Sequence, residues 1–298
     1  MTETPLVVYA LALLPAVLWG FGPILDKRGM SAGGSSLQAA LVVVVVDSTL
    51  YWLALLVRSW PDPLSGLTLP LVATFAVAGL FGTALGRIFV FAGVERVGAS
   101  INSAGISTRP LFATLLAVAA LGEPLGPLTG VGIVVLVGGL VALTYSKGGD
   151  VSGWQPRDIL FPVGAAAVFA MGNVLRRYGF VDTGATPLQA VAINETAAFV
   201  ALAGYALAKG RTDVLSAPRA SYRYFTGSGL LTAVALLSFF AALAMEAGRV
   251  AIVDPLTATA PLFTTVFSAF LLQDVERVTR GVVLGAALVV VGAVLVTV

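Results

Sequence analysis

Residues 95–123 read ERVGASINSAGISTRPLFATLLAVAALGE, and residues 246–274 read EAGRVAIVDPLTATAPLFTTVFSAFLLQD. At a constant offset of 151 they share Glu95/Glu246, Ile101/Ile252, Thr108/Thr259, Pro110/Pro261, Leu111/Leu262, Phe112/Phe263, Thr114/Thr265 and Leu121/Leu272, and both end on an acid, Glu123 and Asp274. Leu37-Gln38-Ala39 recurs as Leu188-Gln189-Ala190 at the same offset. At offset 150, Gly22, Leu25, Lys27 and Gly29 face Gly172, Leu175, Arg177 and Gly179. A period of half the chain means duplicated halves rather than a solenoid. Whatever one half builds, the other must build again.

The solvent for that fold is lipid. Hydrophobic residues make up 58% of the 298 and charged residues 11%, against roughly 25% charged in soluble domains. A span needs about 20 mostly apolar residues. Ten stretches qualify: 5–26, 36–57, 70–93, 99–121, 125–145, 158–178, 186–208, 225–246, 250–272 and 278–298. The connections between them are short and rich in turn formers. The start, MTETPLVVYALALLPAVLWG, lacks a basic n-region and reads as a retained span. Trp52, Trp60, Trp154, Tyr222 and Tyr224 fall at span ends, where amphipathic rings favour the headgroup zone. Each half holds five spans, an odd number, so the second half enters the membrane from the opposite side. The expected fold is therefore all-α: a polytopic membrane protein with ten transmembrane helices as two inverted five-helix repeats, residues 5–145 and 158–298. Inverted repeats are frequent in secondary transporters, with the binding site near the midplane between them.

The patterns LWGFGPILDK (18–27), GTALGRIFVFAGVERVGAS (82–100) and PLF followed by LGE (110–123), with a glycine-rich closing helix, resemble the EamA-type family of the drug/metabolite transporter superfamily. The resemblance covers nearly the whole chain. It implies export or exchange of small metabolites across the cytoplasmic membrane by alternating access, with both termini in the cytoplasm. It also implies a central cavity lined by the third, fourth, eighth and ninth helices, helped by the first, second, sixth and seventh. The fifth and tenth would be peripheral. The chain departs from the pattern at Asp274-Val275-Glu276, where a second LGE would stand, and at Arg87 and Arg109, where neutral residues are expected. Positive charge runs against the implied orientation. It leaves four Lys or Arg (58, 176, 177, 249) in cytoplasmic loops and eleven (27, 28, 96, 147, 157, 209, 211, 219, 223, 277, 280) outside, the reverse of the positive-inside rule.

Ionisable residues inside a span cost about 2.5–3.5 kcal/mol each on insertion scales and are functional candidates by default. By the boundaries above they are Asp47, Arg87, Arg109, Glu195 and Asp254. Asp47, Arg109 and Glu195 fall near the middle of their spans, whereas Arg87 and Asp254 lie nearer an end, within snorkelling reach. Pro110 and Pro261 withhold a hydrogen bond from the carbonyls of Ile106 and Thr257, so each marks a helix kink suited to a substrate site or hinge. In the ninth span Asp254, Thr257, Pro261, Thr265 and Ser268 share a polar face; in the fourth, Asn102, Ile106 and Arg109 do so, with Ser103 on the flank. Asn173 and Trp19 are further candidate contacts. Arg109 has Ala260 as its repeat partner, and Asp47 and Glu195 are its expected counter-charges. One arginine and two acids at one level leave an acid over, which suits a solute with a carboxylate or phosphate for Arg109 and an amine for the acid. Arg is apt because its planar fork grips an oxyanion at two points. Glu123 and Asp274 read as caps at the positive ends of the following helices. The fifth span (130–143) and the tenth (281–296) are nearly free of polar side chains, with glycines that permit close packing in a scaffold or homodimer surface.

Several classes drop out. There is no Cys and no His, which removes thiol chemistry and His-based metal or acid–base sites. No GxxxxGK[ST] loop is present, and no basic stripe with interleaved aromatics for nucleic acid. No cofactor or enzyme activity is implied. Energy would come from exchange or from a gradient, with protons carried by an intramembrane carboxylate such as Asp47 or Glu195. The expected partners are a small-molecule substrate and the lipid bilayer. Import of a similar solute, and a non-transporting scaffold or channel, are the competing readings.

Overall fold

Helices begin where the duplicated sequence places its caps. Ser35 accepts from the Gln38 backbone N–H while the Gln38 side chain accepts from Ser35, and Thr186 and Gln189 repeat this capping box at offset 151. The computed structural model describes residues 5–121, 127–145, 149–150, 154–211, 216–274 and 276–296. In the first half α1 is Leu6–Ser31, α2 Ser36–Arg58 and α3 Leu69–Gly79. A π-helical turn, Leu80–Leu85, carries α3 into α4, Gly86–Val97. Then come α5 (Ala99–Ile106), α6 (Arg109–Leu121) and α7 (Pro127–Thr144). In the second half α8 is Leu160–Thr183, α9 Pro187–Ala208, α10 Arg219–Ala244, α11 Val250–Thr257, α12 Ala260–Leu271 and α13 Arg280–Val296. Among the described residues the one departure from helix and loop is a two-residue antiparallel pairing of Gly149–Asp150 with Glu276–Arg277.

The molecule is an all-helical membrane protein of ten crossings, five per half: α1, α2, α3–α4, α5–α6 and α7, then α8, α9, α10, α11–α12 and α13. Six of these are apolar helical runs of at least 22 residues. The shorter α7 and α13, of 18 and 17 residues, reach about 26 Å at 1.5 Å per residue, close to the ~30 Å hydrocarbon core. Outward faces are apolar, with Val134, Val200 and Leu284 more than 60% exposed. That surface is stable only against lipid.

The fourth and ninth crossings differ from the expected kinked helices. Each is broken outright, at Ser107–Thr108 and at Ala258–Thr259. Pro110 and Pro261 thus become the second residues of new helices, where a missing N–H is harmless. Thr108 and Thr259 hydroxyls donate back to the Gly105 and Leu256 carbonyls at 2.8 and 2.6 Å, beside the backbone N–H of the same threonines, so each break is closed on itself. Such discontinuous helices occur where backbone lines a cavity.

Packing has a two-fold pattern. The contact of α1 with α10 mirrors that of α8 with the α3–α4 crossing, and α1 on α11–α12 mirrors α8 on α5–α6. The α2–α9 and α7–α13 contacts are their own mirrors, and α5–α12 has its mirror in α6–α11. Most helices therefore pack across the halves, so neither repeat buries its apolar faces alone. A Cβ on Gly139 would lie 2.6 Å from the Val289 backbone and one on Gly292 2.4 Å from Leu136. Those glycines serve the α7–α13 contact within the chain, while Gly130 and Gly138 face open space.

Asp274 is not the cap of α13: Thr279 accepts from the Val282 N–H, and Asp274 pairs with Arg28 at the end of α1, 2.8 Å away. That hydrogen bond holds its carboxyl below the usual range. Glu123, the expected cap in the first half, lies outside the described residues.

Candidate functional site

Between the two halves, α1, α2, α4, α5, α6, α8, α10, α11, α12 and the π-helical turn line a cavity of about 160 Å³. Its walls are mostly apolar, with Trp19, Val43, Phe91, Phe169 and Phe239 among them. Trp19 is braced by Phe239, ring centroids 5.6 Å apart. Into this apolar space face three guanidinium groups, Arg87 of α4, Arg109 of α6 and Arg176 of α8, and one carboxylate, Asp26 of α1.

Each arginine is held from behind. Arg87 Nη2 lies 2.5 Å from Asp47 Oδ2 and 2.8 Å from Glu195 Oε2, so α2, α4 and α9 meet on one ion triad. Glu195 Oε1 accepts from Asn194 Nδ2 at 2.8 Å, and that amide also donates to Thr83. Arg176 donates to Asn194, Asn173 and Thr83 at 3.2, 2.7 and 2.8 Å. Asn173 donates onward to Asp254 at 2.8 Å, and Arg109 Nε sits 3.2 Å from the same carboxylate oxygen. Arg109 also donates to the Thr257 hydroxyl, which bonds back to the Asp254 carbonyl. The result is one chain of polar contacts from α2 to α11, through three arginines and three acids. Buried ions in lipid require this mutual compensation.

The expected pairing of Arg109 with Asp47 and Glu195 is therefore wrong. Both acids belong to Arg87, and the partner of Arg109 is Asp254. Nor is an acid left over in that set, because the sequence reading omitted Arg176. Arg87 and Asp254 do not snorkel; they are 6% and 1% exposed. Of the predicted residues, Arg87, Arg109, Asn173, Thr257 and Trp19 line the cavity, whereas Asp47, Glu195 and Asp254 stand behind it. Asn102 is off the cavity, packed so closely on α4 that a Cβ at Gly93 would lie 1.9 Å from its Oδ1; Ser103 lines the wall in its place. Thr265 and Ser268 are buried and not among the lining groups.

Polar residues of the site that escaped the sequence reading include Asp26, Arg176, Asn194 and Thr83. Asp26 and Arg176 sat at the supposed ends of their spans, but α1 and α8 continue to Ser31 and Thr183, which puts both inside helices. Asn194 was hidden beside Glu195. A signal did exist: Asp26 and Arg176 are repeat partners at offset 150, an acid set opposite a base.

The two mirror crossings are unequal. A Cβ on Gly172 would stand 2.5 Å from the Gly82 Cα, so α8 and the π-helical turn touch backbone to backbone. At the repeat partner Gly22 the nearest atom is the Ser228 hydroxyl, 3.7 Å away. The arginine network thus lies at the tighter crossing and Asp26 at the looser one.

Comparison with known proteins agrees with this architecture. A crystal structure of another protein superposes with a TM-score of 0.65 over 97% of this chain and 94% of its own, at 18% identity; that likeness establishes the fold. A UDP-galactose transporter homologue of Eremothecium gossypii is 30% identical over 127 residues, which span 42% of this chain and 39% of that protein. The profile of the EamA-like transporter family matches residues 6–145 and 157–298. With both halves matched, ten crossings and a cavity between the repeats, the chain belongs to the EamA-like transporter family.

Proposed function

We propose that this protein is a secondary transporter carrying a small metabolite that bears a carboxylate or phosphate, by alternating access between its two repeats. The observation that carries the reading is the convergence of Arg87, Arg109 and Arg176 on one apolar cavity, with their counter-acids held outside it. Three planar donor groups in a low-dielectric space suit an oxyanion. The amine half of the expected solute loses its basis, since Asp47 and Glu195 are both taken by Arg87. A cavity of about 160 Å³ falls below the ~300 Å³ at which pockets for drug-sized ligands begin, which favours a metabolite of few atoms. The name of the Eremothecium gossypii relative fits a phosphate-bearing solute, though the uridine diphosphate sugar itself would need a far larger space.

Export is the direction that the family resemblance implies. An anion leaving an inside-negative cell gains about 2.3 kcal/mol per charge per 100 mV. Import is the second reading, and one observation favours it: an acid, Asp26, shares the cavity with the arginines. The test of the site is solute counterflow in proteoliposomes with Arg109→Lys and Arg109→Ala. Both are expected to lose at least tenfold while remaining folded, because lysine keeps the charge and loses the fork. Parental rates in both variants would place Arg109 off the pathway.

A further inference from the structure

Asp26 and Arg176 occupy equivalent places in the two repeats and have opposite surroundings. Arg176 is satisfied by Asn173, Asn194 and Thr83. The repeat partners of those three are Pro23, Val43 and Val234. Pro23 and Val43 line the cavity beside Asp26 and have no side-chain hydrogen bond to offer, while Val234 points outward, 54% exposed. Asp26 is accordingly 4% exposed, and its Oδ1 has no hydrogen-bond partner. Across the cavity, Arg87 Nη1 is also without one. A buried unpaired carboxylate oxygen is costly, and Asp26 is among the residues that line the space where the solute is proposed to sit.

We infer that Asp26 is the coupling carboxylate of this transporter, binding a proton together with the anionic solute and releasing it on the far side. The inference rests on the reading of the solute as an oxyanion. A proton is favoured over other cations by the shortage of ligands. Calcium takes six to eight oxygens and magnesium a full octahedron, and an ammonium has three donors to satisfy; here Ser228 is the hydroxyl beside the carboxylate. From α4, Arg87 is the charged group facing Asp26; α2 and α10 present Val43 and Ser228. Towards the cavity α5, α11 and α12 bring Ser103, Thr257 and Ala260, none titratable. Lys27, next in sequence, donates to the Val94 and Glu95 carbonyls.

The sign of the coupling follows from charge. An ionised Asp26 repels an anion in the same cavity, and a protonated Asp26 does not. Proton and anion therefore bind cooperatively, each raising the affinity for the other by the same factor. The proton comes from water on the loading side, forms the carboxyl O–H, and returns to water when the cavity opens opposite. The two move in one direction, which for an inward proton gradient is uptake.

The experiment uses proteoliposomes of the full chain loaded with the pH dye pyranine. An inward gradient of radiolabelled succinate or glycerol 3-phosphate supplies one carboxylate and one phosphate probe. For a probe that the parent carries, the lumen should acidify by one proton for each solute beyond any passive leak. Asp26→Asn should carry the same probe without acidification, and its counterflow should lose the pH dependence of the parent, falling less than twofold over a range in which the parent falls about tenfold. Retained counterflow shows that the variant folds, and Asp26→Glu should restore proton movement. A probe carried by the parent without protons, or protons still carried by Asp26→Asn, overturns this inference alone. If the parent carries neither probe, the oxyanion reading fails and the inference falls with it.

Discussion

The two ends of the cavity are built from the same repeat and do opposite things. At the Arg176 end, side-chain hydrogen bonds tie α8 to α9 and the π-helical turn, and backbones touch at Gly82 and Gly172. At the Asp26 end, the equivalent side chains are apolar, the equivalent glycine has room, and an acid is left facing the space. An inverted repeat with both ends alike would have no preferred closed side. Here the first end is tied by polar side chains across the halves, and the second has Asp26 lining the cavity without an equivalent set of partners. Duplication supplied the scaffold, and divergence at a few positions supplied the difference.

The largest effect that tests this contrast comes from removing the latch. Arg176→Ala leaves the side-chain oxygens of Asn173 and Asn194 without a donor, while Thr83 keeps the Asn194 amide, and each buried polar group left unpaired costs about 1–3 kcal/mol. A loss of about 3 kcal/mol is expected, read as a fall of several degrees in the thermal midpoint in detergent. The mirror change, Asp26→Asn, should cost less than about 1 kcal/mol. Equal losses would erase the distinction between the ends.

Next in size is the pair of glycines. Gly172→Ala drives a methyl group into the Gly82 backbone, and overpacking of this kind costs about 1–3 kcal/mol. Gly22→Ala meets only the Ser228 hydroxyl at 3.7 Å and should leave both midpoint and transport nearly unchanged. If Gly22→Ala is the more damaging of the two, the looser crossing has been misplaced.

The smallest effect concerns the rim. Arg28 pairs with Asp274, whereas its repeat partner is Tyr178, 58% exposed. The Asp274 carboxyl is held below its ordinary value, first by the Arg28 hydrogen bond. Its stabilisation is therefore present above the unfolded-state value near 3.9 and lost as pH falls through the lower folded one. Asp274→Asn should lower the midpoint slightly at neutral pH, the difference shrinking in acid and in molar salt. Tyr178→Ala should show neither dependence.

Fold and site were legible to different depths. Apolar runs and the constant offset were enough for ten crossings in two halves, because a backbone in lipid must satisfy itself and helices are the economical way to do so. Pro110 and Pro261 marked the discontinuities within two residues, since a missing N–H acts locally. The five buried charges stood out because isolated charges in apolar runs are expensive. Partner choice was beyond the sequence. Arg109 and Arg87 both had acids at suitable depths, and only the packing of α2 on α4, and of α9 on α2, α3 and the π-helical turn, gave Asp47 and Glu195 to Arg87.

What the sequence determined by itself, then, was what short-range rules set: span count, duplication and the places where proline disturbs a helix. The tertiary structure decided which charges meet and which stay alone. Asp26 and Arg176 are both polar residues late in long helices, indistinguishable by hydropathy from loop residues. One became a latch and the other an acid with one oxygen unpaired because of what stands around them: Asn173, Asn194 and Thr83 on one side, Pro23, Val43 and Ser228 on the other. Those neighbours come from different helices, and electrostatic pairing depends on distances in space that no spacing along a single helix can specify.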